Sequence, residues 1–241
     1  MRTEERFSIP FLDPLLRDGI PKGILLLVEY DPDSLSYNFM LTLISSALST
    51  GCSIDFTCCD RDPDLVRTDL KTMGVNVEAL STGDIPRLRF IDGYSTAIGM
   101  ESKEKYSFPS MNLSDHSIDV LGALKAKPEE DRWRGRIALC DNLSVMLRHN
   151  PEKALIEFYG SRLVPSLRVR QRTAVQAFVK GIHSDFFYKN IENLAEGIID
   201  VKLDTSGDVA VNLIRVRSFK RGPHDAKWHN IKVGDNLAVT F

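Results

Sequence analysis

Ile24-Leu25-Leu26-Leu27-Val28 is an unbroken apolar run, the pattern of a strand buried on both faces. Beyond a polar turn, Phe39, Leu41, Leu43, Ile44, Ala47 and Leu48 recur with helical spacing until Gly51. The alternation continues. Residues 53–59 read as a second strand. Asp62-Pro63 reads as a helix start, with Leu65, Val66, Leu70 and Met73 as the inner face and Gly74 as the stop. Residues 88–92 and 136–141 read as the third and fourth strands, residues 151–170 as a helix, 174–179 as a fifth strand and 190–196 as a short helix. Upstream, residues 7–23 form an amphipathic stretch closed by a turn. The polar segment 95–114 reads as a mobile surface excursion, and 117–124 as a helix capped by Ser114 and Asp115. From Ile198 the period drops to two over 198–203, 210–216, 231–233 and 237–241, predicting antiparallel edge strands. The fold class is therefore α/β, with a mostly parallel central sheet and an antiparallel C-terminal edge. With no internal repeat or linker, residues 1–241 are expected to form one domain.

Composition narrows the options. A net charge of −2 gives no global pull toward nucleic acid. No apolar run reaches the roughly 20 residues that span a bilayer. The start, Met1-Arg2-Thr3-Glu4-Glu5-Arg6, is charged with no apolar signal core behind it, so a cytoplasmic protein is expected. Cys52, Cys58, Cys59 and Cys140 make no C-x-x-C pair. They read as small buried hydrophobes rather than metal or redox ligands, with Cys58 and Cys59 on opposite strand faces.

The turn after the first strand is where the chemistry is expected. A phosphate-cradling loop has the form G-x-x-x-x-G-K-[ST]: glycines let backbone N–H groups approach phosphate, the Lys reaches its oxygens and the hydroxyl holds Mg²⁺. Here the loop is Asp31-Pro32-Asp33-Ser34-Leu35-Ser36-Tyr37. Asp31 and Asp33 oppose phosphate, Leu35 stands at the glycine place, and Ser36 and Tyr37 stand at the Lys and Ser/Thr places. Pro32 is expected to stiffen the turn and Tyr37 to fill part of the phosphate cavity.

Six motifs in order resemble the RecA-like ATPases, specifically the KaiC/RadA-like branch common in archaea. They are Leu12-Asp13 with Gly19-Ile20-Pro21-x-Gly23; Asp62-Pro63-Asp64-x-Val66-Arg67 with Met73-Gly74-Val75; Phe90-Ile91-Asp92-Gly93-Tyr94-Ser95; the Walker B-like Arg136-Ile137-Ala138-Leu139-Cys140-Asp141-Asn142-Leu143-Ser144; Glu192-Asn193-Leu194-Ala195-Glu196-Gly197-Ile198-Ile199; and Lys220-Arg221-Gly222-Pro223-His224-Asp225-x-x-Trp228-His229. The resemblance covers nearly the whole chain and implies a RecA-like three-layer core. It also implies what has departed. Asp60 and Arg61 occupy the places of the water-activating glutamate pair, Phe219 replaces the Lys of the C-terminal Lys-x-Arg pair, and only Asp141 and Arg221 keep family roles, as the Walker B acid and an arginine finger acting on a neighbour.

Phosphoryl transfer depends on positioning and charge stabilisation, and losing a single donor costs about 2.7–4 kcal/mol. The expectation is a catalytically inactive protein: a non-enzymatic regulatory or scaffold subunit, forming a homo-oligomer or a ring with a RecA/KaiC-like paralogue, without cofactor or metal. The alternatives are support of an active paralogue through Arg221, an RNA-binding ring like the inactive Elongator subunits, and weak Mg-ATP binding without turnover. The basic groups Arg162, Arg168, Arg170, Arg172 and Arg215, Arg217, Lys220, Arg221 read mainly as solvated faces. The Phe186-Phe187-Tyr188 triplet reads as core or interface. His224 and His229 read as hairpin residues. His183-Ser184-Asp185 lies at the family's mobile loop, and adjacency alone does not make a catalytic set.

Overall fold

The computed structural model describes residues 5–113 and 135–241, so the helix expected at 117–124 lies outside the described residues. Strands β1 (Arg6–Phe7) and β2 (Ile20–Pro21) pair antiparallel around a short 3₁₀ turn at Pro10–Leu12. This is the amphipathic stretch of the sequence. Its apolar side, including Phe7, Ile9, Leu12 and Leu16, is buried, and Phe11 packs on Phe39 with ring centroids 5.7 Å apart.

The main sheet contains β3 (Leu25–Tyr30), β4 (Ser53–Cys58), β5 (Leu88–Asp92), β6 (Arg136–Cys140), β7 (Thr173–Val179), β8 (Gly197–Asp204), β9 (Val211–Phe219), β10 (His229–Val233) and β11 (Val239–Thr240). Their order is β11-β10-β9-β8-β3-β7-β6-β4-β5. The six from β8 to β5 are parallel and the last three antiparallel. β8 corrects the sequence reading: it is parallel to β3 and antiparallel to β9, so the change of direction falls one strand later. Gly197 lets β8 pack closely, since a Cβ there would stand 2.6 Å from Leu26 Cδ2.

Alternate residues of β3 feed two cores. Leu26, Val28 and Tyr30 face α1 (Ser36–Ser49), α2 (Pro63–Thr72) and α3 (Val77–Ser81). Leu25 and Leu27 face the opposite layer, built from α5 (Ser144–Leu147), α6 (Glu152–Phe158), α7 (Val164–Arg170) and α8 (Asp185–Leu194), while α4 (Tyr94–Ala97) follows β5. The result is the three-layer RecA-like architecture. The continuous helix expected at 151–170 carries a π-helical turn, Tyr159–Leu163, between α6 and α7. Pro165 has no N–H to return to the preceding turn, which accounts for the irregularity there.

Two further readings change. The polar segment after β5 is anchored rather than a free surface excursion. Phe108 and Met111 are buried, and the segment is tied to β5 by two backbone bonds, the Phe108 amide to Asp92 O and the Asp92 amide to Tyr106 O, each at 2.9 Å. The last predicted helix starts earlier, at Asp185, because Ser184 accepts the Phe187 amide at 3.1 Å as its N-cap. Phe187 is thereby fixed in the core, Phe186 is left exposed, and Tyr188 packs beside Phe178. Among the described residues no helix is long and apolar enough to cross a membrane.

Candidate functional site

β3 and β6 deliver their carboxyl ends to one cleft, the usual ligand position in doubly wound sheets. A cavity of about 230 Å³ lies there. The β3–α1 loop lines it with Pro32, Ser34, Ser36 and Tyr37, the end of β4 with Asp60 and Arg61, the end of β6 with Asp141 and Asn142, and the end of α5 with Arg148. Asp33 is exposed to solvent, and Asp31 and Leu35 do not line the cavity.

The loop's backbone is largely engaged within the chain. The Asp31 amide donates to Val201 O at 3.0 Å and the Ser34 amide to Asp31 O at 3.0 Å. The Leu35 amide donates to Asn212 Oδ1 at 2.9 Å, and Pro32 has no N–H. No loop residue has positive φ, so the alternating right- and left-handed backbone that makes an anion nest is not formed.

Tyr37 is tied down from two sides. Its hydroxyl donates to Asp69 Oδ2 on α2 at 2.7 Å, and the Arg61 guanidinium lies 3.9 Å from its ring centroid. Burial, then the bond to Asp69, pushes its pKa well above the usual phenol value. The ring therefore forms one wall of the cavity, beside which about 230 Å³ of space remains.

Asp141 is buried at the end of β6. Its Oδ1 accepts the Cys59 amide at 2.7 Å and its Oδ2 the Asp60 amide at 3.2 Å. Burial raises its pKa to about 7, against the lowering effect of those amides. Beside it, Cys59 Sγ and Cys140 Sγ stand 3.7 Å apart. So Asp60, Arg61, Asp141 and the loop do converge, as the motif order implied.

Arg221 does not join them. It lies past the Phe219 end of β9, which pairs with Gly197, whereas the loop follows the opposite end, at Tyr30 and Val201. There Arg221 Nη2 meets Glu196 Oε1 at 3.1 Å. The neighbouring basic side chains are also paired: Arg215 with Asp200 at 2.8 Å, Arg217 with Glu29, Asp200 and Glu192, and Lys220 with the Ala195 carbonyl at 2.6 Å. Arg172, read as a solvated side chain, is instead buried against Asp55 at 2.9 Å.

The His183-Ser184-Asp185 run separates in space. His183 Nε2 meets Ser144 Oγ at 2.8 Å, Ser184 caps α8 and bonds Glu152, and Asp185 sits in the first turn of α8. Burial lowers the His183 pKa, which suits a neutral imidazole accepting the Ser144 hydroxyl. His224 and His229 pack against Phe219 and Phe241 respectively, in the hairpin region.

Sequence reasoning missed Arg148, Asn142, Asn212 and the meeting of Cys59 with Cys140. Only strand register could have revealed the last, since Thr57 pairs with Cys140 and Cys59 is two residues on, on the same face.

The sheet order, the paired helical layers and a cleft at the loop make a RecA-like α/β fold. The chain is similar in structure to a KaiC-like protein from the hyperthermophilic archaeon Pyrococcus horikoshii OT3. The TM-score is 0.69 at 16% identity, covering 98% of this chain and 97% of that one. At that identity the likeness is one of fold. No protein-family model matches the sequence, and no curated protein sequence does.

Proposed function

We propose that this chain is a catalytically inactive KaiC-like protein, a single-domain, cytoplasmic regulatory or scaffold subunit that assembles through the ring surface of its fold. The observation that carries this reading is the state of the loop. The Leu35 amide is held by Asn212, Tyr37 is held by Asp69, and among the described residues no lysine lines the cleft. Mg²⁺-nucleotide does not fit this donor set. Mg²⁺ demands near-octahedral oxygen ligation shared with phosphates, and the loop amides that would hold those phosphates are engaged by Val201, Asp31 and Asn212. The KaiC-like fold supports assembly into an oligomer.

Calorimetry with Mg-ATP tests the reading, with no heat of binding expected at millimolar nucleotide. Binding below that range, or ATP turnover by the purified chain, overturns it. Light scattering after size exclusion tests assembly; a monomer at all concentrations removes the scaffold-ring part.

One observation favours a second reading. Arg221 stands at the end of the sheet away from its own loop and is half-exposed, which suits action on a neighbouring subunit rather than on its own cleft. The chain would then support an active paralogue. Loss of the paralogue's ATPase in complexes carrying Arg221→Ala supports this; an unchanged rate ends it. The RNA-binding alternative has less support, because Arg215, Arg217, Lys220 and Arg221 all have partners within the chain.

A further inference from the structure

At the end of β4 and β6, two thiols and a carboxylate converge. Cys59 Sγ, Cys140 Sγ and a carboxylate oxygen of Asp141 all lie within 4.8 Å of one another. All three residues are buried, and the two sulfurs are 3.7 Å apart. The register of β4 and β6 places them there: Thr57 pairs with Cys140, and Cys59 shares the Thr57 face.

We propose that Cys59, Cys140 and Asp141 form a binding site for a borderline-soft divalent cation of the zinc class. The sulfur spacing carries the argument. Two thiolates on a tetrahedral zinc, each at about 2.3 Å, stand roughly 3.8 Å apart. The observed 3.7 Å matches without moving either strand. The carboxylate closes the third position by a shift of about 1 Å, given a sulfur–oxygen spacing of about 3.6 Å around zinc.

The donor set also selects the metal. Two sulfurs disfavour Mg²⁺ and Ca²⁺, which take oxygen ligands, and favour Zn²⁺, Co²⁺ or Cd²⁺. Asp141 can ligate while keeping its amide bonds, because each carboxylate oxygen has two lone pairs. The Cys59 and Asp60 amides then orient the carboxylate from outside, as hydrogen bonds to metal ligands do. Binding replaces the two thiol protons, which leave to solvent. Asp141 also lines the cavity, so the carboxylate ligand borders the space from which water or a small ligand could complete a four-coordinate metal. Arg61 and Arg148, on the same cavity, face the net negative charge of two thiolates, a carboxylate and one divalent cation. The site shares Asp141 with the nucleotide cleft but uses neither the loop nor Arg221.

Co²⁺ is the probe. The full-length chain, reduced and metal-free, is titrated with Co²⁺ and then with Zn²⁺. The expected result is one equivalent bound with a thiolate-to-cobalt charge-transfer band that Zn²⁺ abolishes. Cys59→Ser and Cys140→Ser are expected to lose the band, Asp141→Asn to weaken binding at least about tenfold, and Cys52→Ser to keep the band. Zn²⁺ is also expected to raise the melting temperature of the wild-type chain. No band in the reduced wild type overturns the proposal, and so does a band that persists in Cys59→Ser and Cys140→Ser. If the serine variants do not fold, the wild-type titration and the zinc-dependent melting shift decide alone.

Discussion

Asn212, on β9, accepts the Leu35 amide at 2.9 Å and so caps the loop from a strand 177 residues away in sequence. In a phosphate-binding loop that amide would face the ligand. Here it is satisfied before any ligand arrives. Asn212→Ala leaves the donor without its partner, and a loss of about 1 kcal/mol in urea unfolding is expected. No change beyond error would mean that solvent serves the amide equally well.

Tyr37 makes the complementary contact on the other side of the loop. Tyr37→Phe removes the hydroxyl bond to Asp69 but keeps the ring under Arg61, and is expected to cost about 0.5–1.5 kcal/mol. Tyr37→Ala also removes the ring and is expected to cost more. Equal losses for the two variants would mean that the ring contributes nothing.

Asp55 meets three buried guanidinium groups: Arg89 at 3.0 Å, Arg136 at 2.8 Å and Arg172 at 2.9 Å. Burial lowers the Arg89 pKa to about 10, with Asp55 acting in the opposite direction. Asp55→Asn keeps the shape and removes the charge. The expected cost is about 3–5 kcal/mol, read from the melting curve, because it strands buried positive charge. A loss under about 1 kcal/mol would contradict this account of the cluster.

Glu29 sits mid-strand in β3, with Arg217 facing it from β9, Asp200 from β8 and Glu192 from α8. Burial, then the hydrogen bond with Glu192, lifts its pKa from 4.5 to about 7, while Arg217 pulls the other way. An acid with a raised folded-state pKa holds an extra proton in the folded state between those two values. Its contribution to stability therefore declines as pH rises through that window, by at most about 3 kcal/mol. Unfolding compared near pH 5 and near pH 8 should show a smaller difference in Glu29→Gln than in the wild type. An identical pH slope in the two proteins would remove Glu29 as a source.

The sheet was legible because its strands are short apolar runs between strong stop signals, as at residues 24–28 and Gly51. β8 was misread because a strand with a parallel neighbour on one side and an antiparallel one on the other has no separate sequence pattern. The start of α8 was misread because its aromatic triplet looks like a loop until Ser184 is seen capping it. At the site, the absence of a lysine was plain in sequence. The partners of what replaced it were not, because Asn212, Asp69 and Cys140 are distant in sequence and meet the site only through tertiary register.

Three elements therefore hold the β3–α1 loop at once: Val201 from β8, Asn212 from β9 and Asp69 from α2. The consequence is mutational. Placing glycine and lysine at positions 35 and 36 would leave Tyr37 bonded to Asp69 and the Asp31 amide on Val201. No single substitution makes this loop a phosphate cradle, because releasing one hold leaves the other two in place.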